Sequence, residues 1–132
     1  MLTRTTWARV TAVLAVLTLF AAEAAAQQRP STTWAPASTS NYRSGRGGAD
    51  IHFVIIHTSE GSAQGAISGF RNPRSRVSAH YIIAYSGQIF QGVRDSDTAW
   101  HAGWINSQAI GIEHEGWAGR NTWTNAQYRA SA

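Results

Sequence analysis

Two apolar runs do most to limit what this chain can fold into. The first is Ile51-His52-Phe53-Val54-Ile55-Ile56-His57-Thr58 and the second is Ala109-Ile110-Gly111-Ile112-Glu113-His114-Glu115-Gly116. The first is too continuously apolar for a strand with one face in water, so it predicts a central strand buried on both faces. It closes on a histidine, whereas the second run carries carboxylates. A histidine and a glutamate projecting from the ends of buried strands are what a zinc hydrolase uses, the imidazole to hold the metal and the carboxylate to handle the proton of a bound water. A hydrolase is therefore the first expectation.

The rest of the chain supplies the elements around those runs. Residues 27–49 are rich in Gln, Ser, Thr, Pro, Arg and Gly, which predicts a linker or an N-terminal arm, with order beginning near Asp50. Residues 63–70 suit a short helix with Ala63, Ile67 and Phe70 on one face, ended by Asn72-Pro73. A strand over 78–85, a tight turn at Ser86-Gly87 and a returning strand over 88–93 predict a hairpin. Residues 95–107 show no period and hold Trp100, His101, Gly103 and Trp104, as a surface loop lining a groove would. Thr124 and Gln127 have capping-box spacing, which starts a second helix. There is no internal repeat. Strand, helix, hairpin, strand, helix gives an α/β (α+β) fold, a central mixed sheet flanked by helices.

Composition narrows the setting. Arg4 and Arg9 precede an uncharged apolar run over 10–20, and Ala24-Ala25-Ala26 supplies small residues for cleavage, so residues 1–26 read as a signal peptide. The run falls short of the roughly 20 apolar residues a bilayer span needs. The protein is expected outside the cell or in the cell envelope, with no stable membrane association once the leader is removed. No cysteine occurs, which excludes a disulfide framework and thiolate metal ligands. The chain after the leader is the size of one small domain, expected to be a monomer. Eleven arginines, with no lysine, against seven acids give a net charge of +4, which favours anionic polymers. The arginines are scattered and do not alternate with stacking aromatics, so nucleic acid is not the expected partner.

Among residues that carry chemistry, Glu113 and Glu115 lie two apart on a strand and share a face, while His114 points to the other. A carboxylate flanked by Ile110 and Ile112 is costly to bury alone, so Glu113 predicts a bound cation, an arginine partner or a catalytic use; the alternative is a solvated strand end. His57 taken alone reads more readily as a packed histidine with both nitrogens bonded, and it is its company that raises it. A helical HExxH zinc site fails because Ala118 stands where its second histidine belongs, and Gly61-Ser62 lacks the frame of a serine nucleophile elbow. Trp100 and His101 together suit a sugar ring, and the planar fork of Arg76 suits a substrate carboxylate.

Four segments then come one after another in a familiar order: Val54-Ile55-Ile56-His57-Thr58, Arg76-Val77-Ser78-Ala79-His80-Tyr81 with the Ser86-Gly87 turn, Thr98-Ala99-Trp100-His101-Ala102-Gly103, and residues 107–116. Over roughly residues 41–132 the chain resembles the zinc-dependent N-acetylmuramoyl-L-alanine amidases, whose fold is shared with phage lysozyme-type amidases and peptidoglycan recognition proteins. The resemblance implies that His57 is the first zinc ligand and Glu113 the carboxylate that polarises the water. It also implies that Thr58, Arg76, Trp100 and His101 meet the substrate, peptidoglycan, with Arg76 on the stem peptide. One branch of the family has a catalytic tyrosine where this chain has Ala79, which fits the branch relying on glutamate. The family's second zinc histidine, its aspartate or cysteine ligand and a frequent catalytic lysine are expected beyond Ala132. Residues 50–132 are accordingly read as the N-terminal portion of an amidase catalytic domain, holding zinc poorly as they stand. The alternatives are a non-catalytic peptidoglycan-binding module and a glycan-cleaving lysozyme.

Overall fold

The second apolar run, not the first, is an interior strand of the sheet. The computed structural model of the chain describes residues 30–120 and 122–132, so the expected signal peptide over 1–26 lies outside the described residues. The strands are β1 (Thr32–Trp34), β2 (Tyr42–Arg43), β3 (Phe53–Thr58), β4 (Tyr81–Ile83), β5 (Ile89–Gln91), β6 (Thr98–Ala99) and β7 (Ala109–His114), with helices α1 (Ala63–Arg71) and α2 (Asn125–Ser131). Five strands form one sheet in the order β1-β5-β4-β7-β3, and β2 pairs with β6 in a small ribbon. The β4–β5 hairpin is antiparallel, while β7 runs parallel to both β4 and β3, so the sheet is mixed as expected.

The expectation for residues 51–57 is corrected. Among the described residues β3 sits at the sheet's edge, pairs only with β7, and leaves Phe53, Val54 and Ile56 at 47%, 62% and 42% exposure. An apolar run reports strand preference, whereas the number of neighbours is set by topology, and the run with Gly111 took an interior place between β4 and β3. The expected start of order near Asp50 is also corrected. β1 adds a parallel strand to β5, the Ala35 and Ala37 amides donate to the carbonyls of Gln91 and Gly92, and both alanines are buried. Asn41 is fully buried, donates to the Phe70 and Asn72 carbonyls at 2.7 and 2.8 Å, and accepts the Arg76 amide at 2.9 Å. This segment builds its core from alanines and an asparagine, which a search for large apolar groups passes over. Residues 95–107, read as an irregular loop, contain β6 and the start of a 3-10 helix over Gly103–Gln108.

Among the described residues each face of the sheet carries one α-helix. Ser62 caps α1 by accepting the Gly65 amide, and Ala63, Ile67 and Phe70 pack on Ile82, Phe90 and Val93. Burying Ile67 and Phe70 stabilises the fold by about 1.5–3 kcal/mol each. The chain leaves helical geometry at Asn72, ahead of Pro73. On the other face Ile83, Ile89 and Ile112 pack with Ala130 of α2. That helix begins with the predicted capping box at Thr124 and Gln127. The fully buried Gln127 amide also donates to the Ile83 and Glu115 carbonyls at 3.1 and 2.9 Å, fastening α2 to the ends of β4 and β7.

Candidate active site

Parallel pairing places His57 of β3 directly opposite Glu113 of β7. Side chains on adjacent paired positions share a face, and this is the face covered by α1. Between the strand ends and α1 lies a cleft of about 450 Å³ lined by Thr58, Glu60, Trp100, His101 and Glu113 among others. α1 contributes Gly65, Ala66, Gly69 and Phe70 to its wall, and the first three are small enough to leave space there. His57 is not part of that lining; it stands against His101, with Nε2 3.1 Å from His101 Nδ1. Arg76 is not part of it either, and its guanidinium stacks 5.1 Å from the Trp100 ring centroid. Trp100 is held in turn by Ser78, whose hydroxyl accepts the Trp100 amide and donates to the Asn41 carbonyl.

Electrostatics single out Glu113. Burial pushes its carboxyl up from 4.5 to about 7, and the nearby Glu60 carboxylate adds to the rise. A carboxyl poised near neutrality takes and returns protons most effectively at neutral pH. Burial also lowers His57, and it takes His101 down to about 4 with help from the neighbouring His80, so the two rings meet as neutral imidazoles near pH 7. Glu60 is the site residue that sequence reasoning missed. It sits in the turn after β3 with φ 52°, and its Oε1 accepts the Ala118 amide. Glu115 leaves the site: its Oε2 accepts the Tyr85 amide at 2.9 Å. His114 points to the α2 face, fully buried against Trp123 with ring centroids 4.5 Å apart.

The described residues do not by themselves complete a zinc site, since no three His, Cys, Asp or Glu side chains among them converge on one point. His80 belongs to the same histidine cluster but is already engaged. Its Nδ1 accepts the Gly111 amide at 3.0 Å, and its Nε2 lies 2.9 Å from Arg46 Nη2 and 3.2 Å from the Asp97 carbonyl.

The family described as N-acetylmuramoyl-L-alanine amidase matches residues 47–132, the stretch that holds His57, Trp100, His101 and Glu113. The chain belongs to this amidase family. It is 50% identical over 101 residues to N-acetylmuramoyl-L-alanine amidase A of Achromobacter lyticus, a match covering 75% of this chain and 56% of that relative. The chain thus spans about half the length of the amidase it matches. Among solved structures, a selenomethionine AmpD derivative superposes with a TM-score of 0.61 at 25% identity, covering 76% of this chain and 69% of the other. Drosophila peptidoglycan recognition protein SA superposes with a TM-score of 0.58 at 17% identity, covering 77% and 68% of the two chains, which is a likeness of fold alone. The mixed sheet with a helix on each face is thus the architecture of the amidase and recognition-protein neighbours.

Proposed function

We propose that the protein is an exported peptidoglycan hydrolase that cleaves the amide between the lactyl group of N-acetylmuramic acid and L-alanine, with zinc as its cofactor. The observation that carries this reading is the Glu113 carboxyl, held near 7 in a cleft beside His57 and His101, in a chain of the amidase family. Amide hydrolysis needs a group that takes a proton from water as it adds to the carbonyl and gives a proton to the departing nitrogen. Glu113 suits both halves. As water oxygen bonds to the carbonyl carbon, the carboxylate takes the water's proton; as the carbon–nitrogen bond breaks, the same carboxyl returns it, and L-alanine leaves as the neutral amine. Thr58, Glu60 and Trp100 wall the space in which the lactyl carbonyl would lie, and Arg76, stacked on the Trp100 ring, would take a stem-peptide carboxylate. Zinc dependence rests on the family reading, with His57 as the ligand this segment would supply.

The test is digestion of purified cell wall, measuring new amino termini and new reducing ends together, with and without a chelator. Release of L-alanine amino termini that stops on chelation supports the proposal, and Glu113→Gln should reduce it by about 10²- to 10⁴-fold. New reducing ends in place of amines would make it a glycan-cleaving enzyme. Wall binding without release of either would make it a recognition module.

A further inference from the structure

Gly111 interrupts the apolar pattern of the interior strand β7, and a strand glycine with no bulge beside it calls for a close neighbour. The neighbour is the His101 ring. A Cβ at position 111 would lie 2.6 Å from both Cγ and Cδ2 and 2.7 Å from Nδ1 of that ring, closer than any carbon contact tolerates. His101 therefore lies flat on the bare backbone of β7, where a side chain at any other residue type would stand.

Three further contacts fix the ring there. The Asn106 side-chain carbonyl accepts the His101 and Ala102 amides at 3.1 and 2.7 Å, tying down the loop that carries it. The His80 ring meets it edge-on at 5.8 Å, and His80 is itself locked to Gly111 through the Gly111 amide. Held on these sides, His101 reaches across to β3, with its ring centroid 5.3 Å from that of His57 at an interplanar angle of 76°.

We propose that Gly111 and His101 act as a positioning pair for His57: the glycine admits the His101 ring to the strand surface, and the ring holds His57 by its Nε2, leaving Nδ1 as the nitrogen available for chemistry. Neither residue needs to touch the reacting bond for this. A partner on the second nitrogen of a working histidine sets its ring orientation, and losing such a partner typically costs about 10- to 100-fold in metal affinity or activity. The proposal goes beyond the amidase reading, because the orientation of His57 is measurable whether or not the protein cuts cell wall.

Nuclear magnetic resonance of histidine-labelled protein tests it directly. The parent protein should show cross-peaks between the His57 and His101 ring protons. In Gly111→Ala those cross-peaks should vanish and the His57 ring signals move, while the His114 signals on the opposite face of the sheet stay in place. In a His101→Ala background, adding Gly111→Ala should leave His57 unchanged, because the glycine acts through the ring. Wall cleavage by Gly111→Ala should fall about 10- to 100-fold in kcat with KM little altered. Should Gly111→Ala fail to fold, as displaced His114 signals would report, Asn106→Ala releases the same loop from its other side and should also erase the cross-peaks. Persistence of the His57–His101 cross-peaks in a folded Gly111→Ala or in Asn106→Ala overturns the proposal, as does a His57 shift from Gly111→Ala when residue 101 is already alanine. A protein with the expected spectra but no amidase activity would leave the positioning pair standing and remove the proposed reaction.

Discussion

Replacing Glu113 by glutamine should make the protein more stable above neutral pH and leave it nearly unchanged in acid. The folded state raises this carboxyl from 4.5 to about 7, chiefly by burial. A group whose folded pKa lies above its unfolded value holds its proton more tightly in the fold, so the stability it contributes is complete below about 4.5 and lost as pH rises through about 7. At 1.36 kcal/mol per pKa unit the full span corresponds to about 3 kcal/mol, and water reaching the cleft reduces it toward about 2 kcal/mol. Glutamine matches the protonated carboxyl in shape and cannot ionise. Urea unfolding at a series of pH values from 4 to 9 should show equal stabilities at the acid end, a gap opening between about 4.5 and 7, and a plateau beyond. A gap that does not change with pH would refute burial as the cause. A parent protein more stable than the glutamine variant at pH 8 would refute it differently, by showing that the ionised carboxylate has a stabilising partner.

Glu60→Gln keeps the acceptor for the Ala118 amide but removes the like charge, so it should lower the Glu113 midpoint seen in that titration without returning it to 4.5, because burial is the larger cause; a return to the ordinary value would make Glu60 dominant. Gly69→Ala should stabilise the protein by about 0.5–1 kcal/mol in thermal unfolding, since a Cβ there meets nothing within 4 Å and the helix gains a better former. A loss of stability would show that the α1 face is not open. Gln127→Leu should cost about 1–3 kcal/mol in urea unfolding by stranding the Ile83 and Glu115 carbonyls under α2; a change below half a kilocalorie would mean water replaces the amide.

What could be read from the sequence were features that show as pattern. The α1 face of Ala63, Ile67 and Phe70, the hairpin turn at Gly87 and the Thr124–Gln127 capping box each rest on local spacing, and local spacing survives folding. The shared face of His57 and Glu113 comes from the parity of two strands once they are neighbours, and the pairing of β3 with β7 makes them so. The edge position of β3 was not legible, because strand order is decided by which neighbours the rest of the chain supplies. Residues that act through the backbone were hidden for a different reason. Asn41 closes the α1 end with four hydrogen bonds from its side chain and carbonyl, yet in sequence it is one polar residue in a polar segment.

Gly111 shows the limit most clearly. In a strand pattern a glycine reads as a weakness, a residue with no side chain to pack and backbone freedom to lose. Its use appears only when a residue ten positions earlier folds back onto the same strand and fills the space a Cβ would take. His101 was legible as a site residue from its place beside Trp100, but as a wall of the groove facing substrate. Folding sets it both on the cleft lining and against His57. The distinction matters for reading loss of function at this position: a residue that binds substrate should alter KM when truncated, whereas one that orients His57 should alter kcat and the His57 spectrum together. Measuring both in His101→Ala separates the two roles, and a raised KM with an unmoved His57 spectrum would return His101 to the substrate wall alone.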